Sequence, residues 1–139
     1  MRLMLLFTCV LLRSCSDSDG NQIDVLDGEV NLLGIWQLNG VKISAGGPLP
    51  EDFTITDFYQ EFSFAANGTY TLLSGTPGTV FSKGDFSVTE DELHLNPKQG
   101  QMRIKSVYNF WFEGEDLVLS PSSPILCIEG CLYRYEKQD

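Results

Sequence analysis

The sequence predicts an all-β fold, an antiparallel up-and-down meander of about eight strands closing into a barrel. Three observations predict it. Apolar and polar residues alternate with period two in several stretches, and few stretches repeat with the helical period. Turn signals built from Gly, Pro, Asn and Asp recur about every ten residues. Asn67-Gly68, flanked by alternating residues on both sides, is the strongest short hairpin signal a sequence can carry. A meander of that many strands hides its edges best by closing on itself. The chain has 139 residues, 42% of them hydrophobic and 20% charged, which fits one globular domain. Nine Lys and Arg stand against 19 Asp and Glu, a net charge of −10. A chain this acidic repels phosphate backbones, so nucleic acid is not an expected partner.

The N-terminus reads as an address. Met1-Arg2 supplies a positive charge, and Leu3 to Leu12 is apolar apart from Thr8. As a helix that run spans about 15 Å, half of the roughly 30 Å that a bilayer core requires. It is therefore the apolar region of a secretory signal and not a membrane span. Leu12-Arg13-Ser14-Cys15 resembles a bacterial lipobox, with Leu at −3 and a small residue at −1; Arg13 at −2 departs from it. The resemblance implies that residues 1–14 are removed and that Cys15 becomes an N-terminus carrying a diacylglycerol thioether. The alternative is an ordinary secretory signal. Ser16-Asp17-Ser18-Asp19-Gly20 resembles the acidic export signal of surface lipoproteins. Residues 15–30 carry acids and no bases and read as a flexible tether. The alternative there is a short capping helix or strand beginning at Ile23, Val25 and Leu26. The expected location is the cell envelope, lipid-anchored at the outer membrane, on its periplasmic side or at the cell surface.

Residues 31–139 form the predicted barrel. Gly34 to Ile43 is a first strand, with Trp36 and Leu38 on one face and a bulge at Asn39-Gly40. Ala45 to Pro50 is a loop, and Glu51 to Phe58 is either a short strand or one helical turn. Tyr59 to Ala65 alternates, putting Phe62 and Phe64 together, and Thr69 to Leu73 returns from the hairpin. Val80 to Val88 is a strand interrupted near Lys83-Gly84. Glu90-Asp91 turns the chain into Glu92 to Leu95, and Asn96 to Gly100 is a loop. Met102 to Phe112 is the longest strand candidate. One of its faces carries Ile104, Ser106, Tyr108, Phe110 and Phe112, the other Arg103, Lys105, Val107, Asn109 and Trp111. Glu113 to Asp116 turns into Leu117-Val118-Leu119, Pro121 to Pro124 opens a loop, and Leu132 to Tyr135 closes the domain.

Gly34-Ile35-Trp36, then Phe64 to Tyr70, Gly84 to Val88 with Leu93 to Leu95, Leu117 to Leu119 and Tyr133 to Tyr135 follow one another in an order that resembles the small bacterial lipocalin-like family within the calycins. The resemblance spans roughly Leu32 to Glu136. It implies a barrel that can hold a small apolar ligand. The long loops that usually roof such a cavity are missing.

The residues carry little chemistry. His94, the single histidine, falls between Leu93 and Leu95 and is expected to face solvent, too isolated for a metal site or a triad. Carboxylate pairs such as Glu61 with Glu92 are not marked out from the rest, and the acidic clusters fall at turns. No metal, cofactor or catalytic group is expected. With Cys9 in the signal and Cys15 lipidated, Cys127 and Cys131 are left in an oxidising compartment, and a turn at Ile128-Glu129-Gly130 can bring them into a disulfide. Trp36, Phe62, Phe64, Tyr70, Phe86, Tyr108, Phe110 and Tyr135 are the expected ligand lining or core. The expected function is non-enzymatic binding of a small apolar ligand in the barrel or at its mouth. The alternative is an inhibitor or accessory subunit with a filled core that docks an envelope protein partner. Its candidate face is Arg103, Lys105, Val107 and Trp111, or the loop rim.

Overall fold

A computed structural model of the protein describes residues 31–124, 127 and 130–139. The signal segment, Cys15 and the tether lie outside the described residues. Asn31 and Leu32 carry helical backbone, and every regular element after them is a strand. In chain order these are β1 (Gly34–Ile43), β2 (Thr54–Ile55), β3 (Tyr59–Phe64), β4 (Thr69–Gly75), β5 (Val80–Thr89), β6 (Glu92–Gly100), β7 (Ser106–Glu113), β8 (Asp116–Ser123) and β9 (Cys131–Gln138). From β3 onward consecutive strands pair antiparallel, and β1 pairs with β9 to close the sheet into a barrel. β3 pairs with Gly34 to Gln37 of β1, and β2 pairs with Gly40 and Val41 on the same edge. The two are one stave broken at residues 56–58, so nine strands make an eight-strand barrel.

Local chemistry sets the staves. Between Ala65 and Thr69 the chain turns with Gly68 N–H donating to Ala65 O at 3.0 Å and Ala65 N–H donating to Thr69 O at 2.9 Å. Gly68 alone in this turn takes a left-handed φ, 78°, which costs a residue without Cβ nothing. Asn67 contributes its Oδ1, which accepts from Thr69 N–H at 3.2 Å. In β1 the register shifts between Leu38 and Gly40, so the residues facing inward change from Trp36 and Leu38 to Val41 and Ile43. Gly40 and Lys42 then face outward, where Phe53 lies between the Lys42 ammonium and the Arg134 guanidinium, each 4.6 Å from the ring centre. A second shift falls at Lys83/Gly84, where the sequence predicted an interruption. A Cβ at Gly84 would overlap the Asn96 carbonyl, so β5 and β6 approach as closely as they do only because no side chain intervenes.

Three expectations are corrected. Asn96 to Gly100 is not a loop but the second half of β6, paired with Ser82 to Asp85 despite Pro97, because only its other edge lacks a partner. The long strand starts at Ser106 and not at Met102; residues 101–105 form the connection, and Ile104 is 64% exposed. Pro121 and Ser123 belong to β8, registered with Tyr108 and Val107 across another shift in the ladder.

The barrel has two unlike halves. Toward the β3–β4, β5–β6 and β7–β8 hairpins the interior is filled by Leu32, Trp36, Phe62, Phe64, Tyr70, Phe86, Leu93, Leu95, Phe110, Leu117 and Leu119. Phe64 meets Phe86 edge-on at 5.0 Å and Trp36 meets Phe112 at a tilt at 5.9 Å, while Phe62 and Phe64 stack at 5.4 Å. Trp36 Nε1–H donates to Leu32 O at 2.7 Å, which ties the residues before β1 under this end. Tyr70 and Ser82, both buried, share a hydrogen bond of 2.7 Å. The other end carries the β1–β2, β4–β5, β6–β7 and β8–β9 connections.

Candidate functional site at the open mouth

At that second end the described residues leave the interior unfilled. A cavity of about 480 Å³ opens there, within the size range of small-molecule sites. Leu38, Val41 and Ile43 line it from β1, Gln60 and Phe62 from β3, Tyr108 from β7, Pro121 from β8 and Tyr133 and Tyr135 from β9. Thr56 and Phe58 come from the break between β2 and β3. The break matters, because residues released from the ladder can turn a ring over the mouth, and Phe58 is 53% exposed there.

Among the described residues no charged side chain lines the cavity. Its polar atoms are those of Gln60, Thr56 and the three tyrosines. Tyr135 is buried, and its hydroxyl donates to Gln60 Oε1 at 2.6 Å. Burial, with the neighbouring Tyr108 and Tyr133 phenols adding to it, pushes the Tyr135 phenol well above its ordinary value. Burial raises Tyr108 too, partly offset by a hydrogen bond with Ser106.

A second hollow of about 300 Å³ adjoins the first; Met102, Ile104, Tyr108, Pro121 and Pro124 give it mostly apolar walls, and Gln101, Arg103, Ser106 and Ser123 complete them. Tyr108 and Pro121 belong to both walls. The gap exists because β6 and β7 pair only from Glu92 to Leu95, while β6 itself continues to Gly100. The apolar side chains left in solvent also gather at this end. Ile43, Leu49, Ile55, Phe58, Val80 and Ile104 surround the mouth, and among the described residues only Ile35 is a comparably exposed large apolar group elsewhere.

Of the eight residues expected as lining or core, Phe62, Tyr108 and Tyr135 reach the cavity. Trp36, Phe64, Tyr70, Phe86 and Phe110 are buried in the filled half. Sequence reasoning passed over Gln60 and Tyr133, although period two places them with Phe62 and Tyr135. It had no means of finding Phe58, whose segment carries no periodic signal. The expected partner face does not form as one strand surface. Arg103 and Lys105 sit in the β6–β7 connection, while Val107 and Trp111 are half-buried on the outside of β7. Trp111 Nε1–H donates to Glu113 Oε1 at 3.1 Å, and the residue lies across from Val118, which is fully buried.

His94 is half-buried on the outside of β6, its Nε2 3.2 Å from Glu92 Oε2 without hydrogen-bonding alignment. Glu61 and Glu92 lie on β3 and β6, which are not neighbours, and Glu61 accepts from the Tyr59 hydroxyl at 2.9 Å. Among the described residues no cluster of three or more His, Cys, Asp or Glu could hold a metal ion. Cys127 and Cys131 are joined as a disulfide, with Cα atoms 5.6 Å apart, beside the mouth at the start of β9. No known protein-family model matches this chain, and no curated protein matches it.

Proposed function

We propose that the protein is a lipid-anchored, lipocalin-like lipoprotein of the cell envelope that binds a small apolar ligand at the mouth of its barrel and catalyses no reaction. One observation carries the binding: a barrel otherwise filled with side chains keeps a cavity of about 480 Å³ open at one end, walled by aliphatic and aromatic groups. The Leu3–Leu12 run, Cys15 and the acidic segment after it support the anchor. The order of the motifs and the eight-strand closure support the family. The test uses the full chain carrying Cys15→Ser, which removes the anchor, titrated with the neutral fluorophore N-phenyl-1-naphthylamine. Saturable binding that is weakened by Phe58→Glu supports the reading. Absence of saturable binding refutes it.

The exposed rim of Ile43, Ile55 and Phe58 favours a second reading, in which an envelope protein docks on the same end. Ile55 is 80% exposed and does not line the cavity, so Ile55→Asp separates the two. It would abolish partner docking and leave fluorophore binding intact. For the anchor, labelling with a fatty-acid probe should be lost in Cys15→Ala, and equal labelling of that variant would refute lipidation.

A further inference from the structure

We propose, resting on the ligand-binding reading above, that the natural ligand is an uncharged single-chain amphiphile whose neutral polar head lies against Gln60 and Tyr135 while its chain leaves the mouth sideways across Tyr108, over Met102 and Ile104. The lack of charge at the head position among the described residues is the first support. There the described walls offer donors and acceptors, but no cation to pair with a carboxylate or phosphate and no anion to pair with an amine. The Tyr135–Gln60 bond uses one hydroxyl hydrogen and one amide oxygen. The Gln60 Nε2 hydrogens and the remaining phenol oxygens suit a hydroxyl, ester or amide group, which both gives and takes hydrogen bonds. The raised Tyr135 phenol agrees: this corner of the barrel resists negative charge.

The second support is shape. The mouth cavity and the adjoining hollow share Tyr108 and Pro121 as walls, so a chain passing Tyr108 would run from a polar inner end to a mostly apolar outlet that Gln101 and Arg103 also line. The outlet is the place where the β6–β7 ladder has already stopped, and it is walled by Met102 and the exposed Ile104. A compact ring would occupy the inner lobe and leave the outlet unused. A single chain fills both.

Competition against bound N-phenyl-1-naphthylamine tests this with dodecanol and dodecanoate at pH 8, both below their aggregation limits, on the full chain carrying Cys15→Ser. Dodecanol is expected to displace the fluorophore at a concentration at least about tenfold lower than dodecanoate, a gap of about 1.4 kcal/mol. Gln60→Lys, which places a cation at the head position, should close or reverse that gap. Ile104→Glu, at an exposed site that folding does not depend on, should weaken dodecanol several-fold and leave hexanol unchanged. If the fluorophore binds but dodecanoate competes as well as dodecanol, the uncharged-ligand proposal is overturned. If Ile104→Glu affects hexanol and dodecanol alike, the sideways path is overturned. If the fluorophore does not bind at all, it is the underlying ligand-binding reading that fails.

Discussion

Replacing Trp36 with phenylalanine removes the hydrogen bond that holds the closed end of the barrel, together with part of the indole's packing. The Trp36 ring is 2% exposed, lies 5.9 Å from Phe112 and donates Nε1–H to Leu32 O at 2.7 Å. Phenylalanine keeps an aromatic ring of six atoms in place of the indole's nine and leaves the Leu32 carbonyl without this donor. A buried polar group stripped of its partner costs about 1–3 kcal/mol. Alanine removes the ring as well, and truncating a buried tryptophan costs about 3–5 kcal/mol. With a urea slope of about 1.5 kcal/mol/M for a domain of this size, the midpoint should fall by about 1–2 M in Trp36→Phe and about 2–3 M in Trp36→Ala. Far-UV circular dichroism at the β-sheet band is the suitable signal, because the substitution changes the tryptophan fluorescence itself. The alanine loss is a large share of the roughly 5–15 kcal/mol that holds a domain, so this variant is expected to be partly unfolded without denaturant. A Trp36→Phe midpoint within about 0.3 M of the parent would refute the tie to Leu32. Equal midpoints in both variants and the parent would refute the placement of Trp36 in the core.

Tyr70→Phe leaves the buried Ser82 hydroxyl unpaired and should cost about 1–3 kcal/mol. The double variant with Ser82→Ala should cost less than the two single losses added, as a double-mutant cycle would measure. Gly84→Ala should prevent the tight β5–β6 approach and leave little soluble folded protein, whereas Gly114→Ala, in open space, should fold; a gel-filtration comparison of the two decides it. Stability should also fall in alkali. The folded Tyr135 phenol titrates well above the 10.0 of an ordinary tyrosine, so the unfolded chain releases its proton first. The contribution is complete below about pH 10 and is lost as pH rises from there toward the folded value. Urea midpoints at pH 8, 10 and 11 should decline, and Tyr135→Phe should flatten the decline.

The closed half of the barrel was the legible half. Phe62 and Phe86 stand between polar neighbours, and Trp36, Phe64, Phe110 and Leu117 each have a polar neighbour on one side, so period two places them together inside. Even the breaks in β1 and β5 announce themselves through Asn39-Gly40 and Lys83-Gly84. The open half was harder, because its strands pair on one side only or carry residues that usually mark loops. Asn96-Pro97 and Pro121 look like punctuation, yet the edge facing the neighbouring strand needs nothing that proline lacks. Met102 to Lys105 continues the alternation of β7 and still leaves the sheet, because the β6–β7 ladder ends at Leu95 and Ser106 although β6 runs on to Gly100. The site depends on such departures: Phe58 in the broken stave, and Met102 and Ile104 in the gap. A pattern of alternation cannot predict where alternation stops being used.

The bulge at Asn39 has a consequence for how this mouth could change over time. Because one extra residue sits between Leu38 and Gly40, the aliphatic pair Val41 and Ile43 faces the cavity and Lys42 faces solvent. Deleting the codon for Asn39 itself would leave Leu38, Gly40 and Val41 in regular alternation, with Val41 and Ile43 still facing the cavity. Drawing Asn39 into the regular ladder, by contrast, would turn Gly40 and Lys42 inward, while Trp36 and Leu38 would stay where they are. Whether this end of the barrel is neutral or cationic thus turns on one unpaired residue within a strand, with the foundations of the fold at the other end untouched.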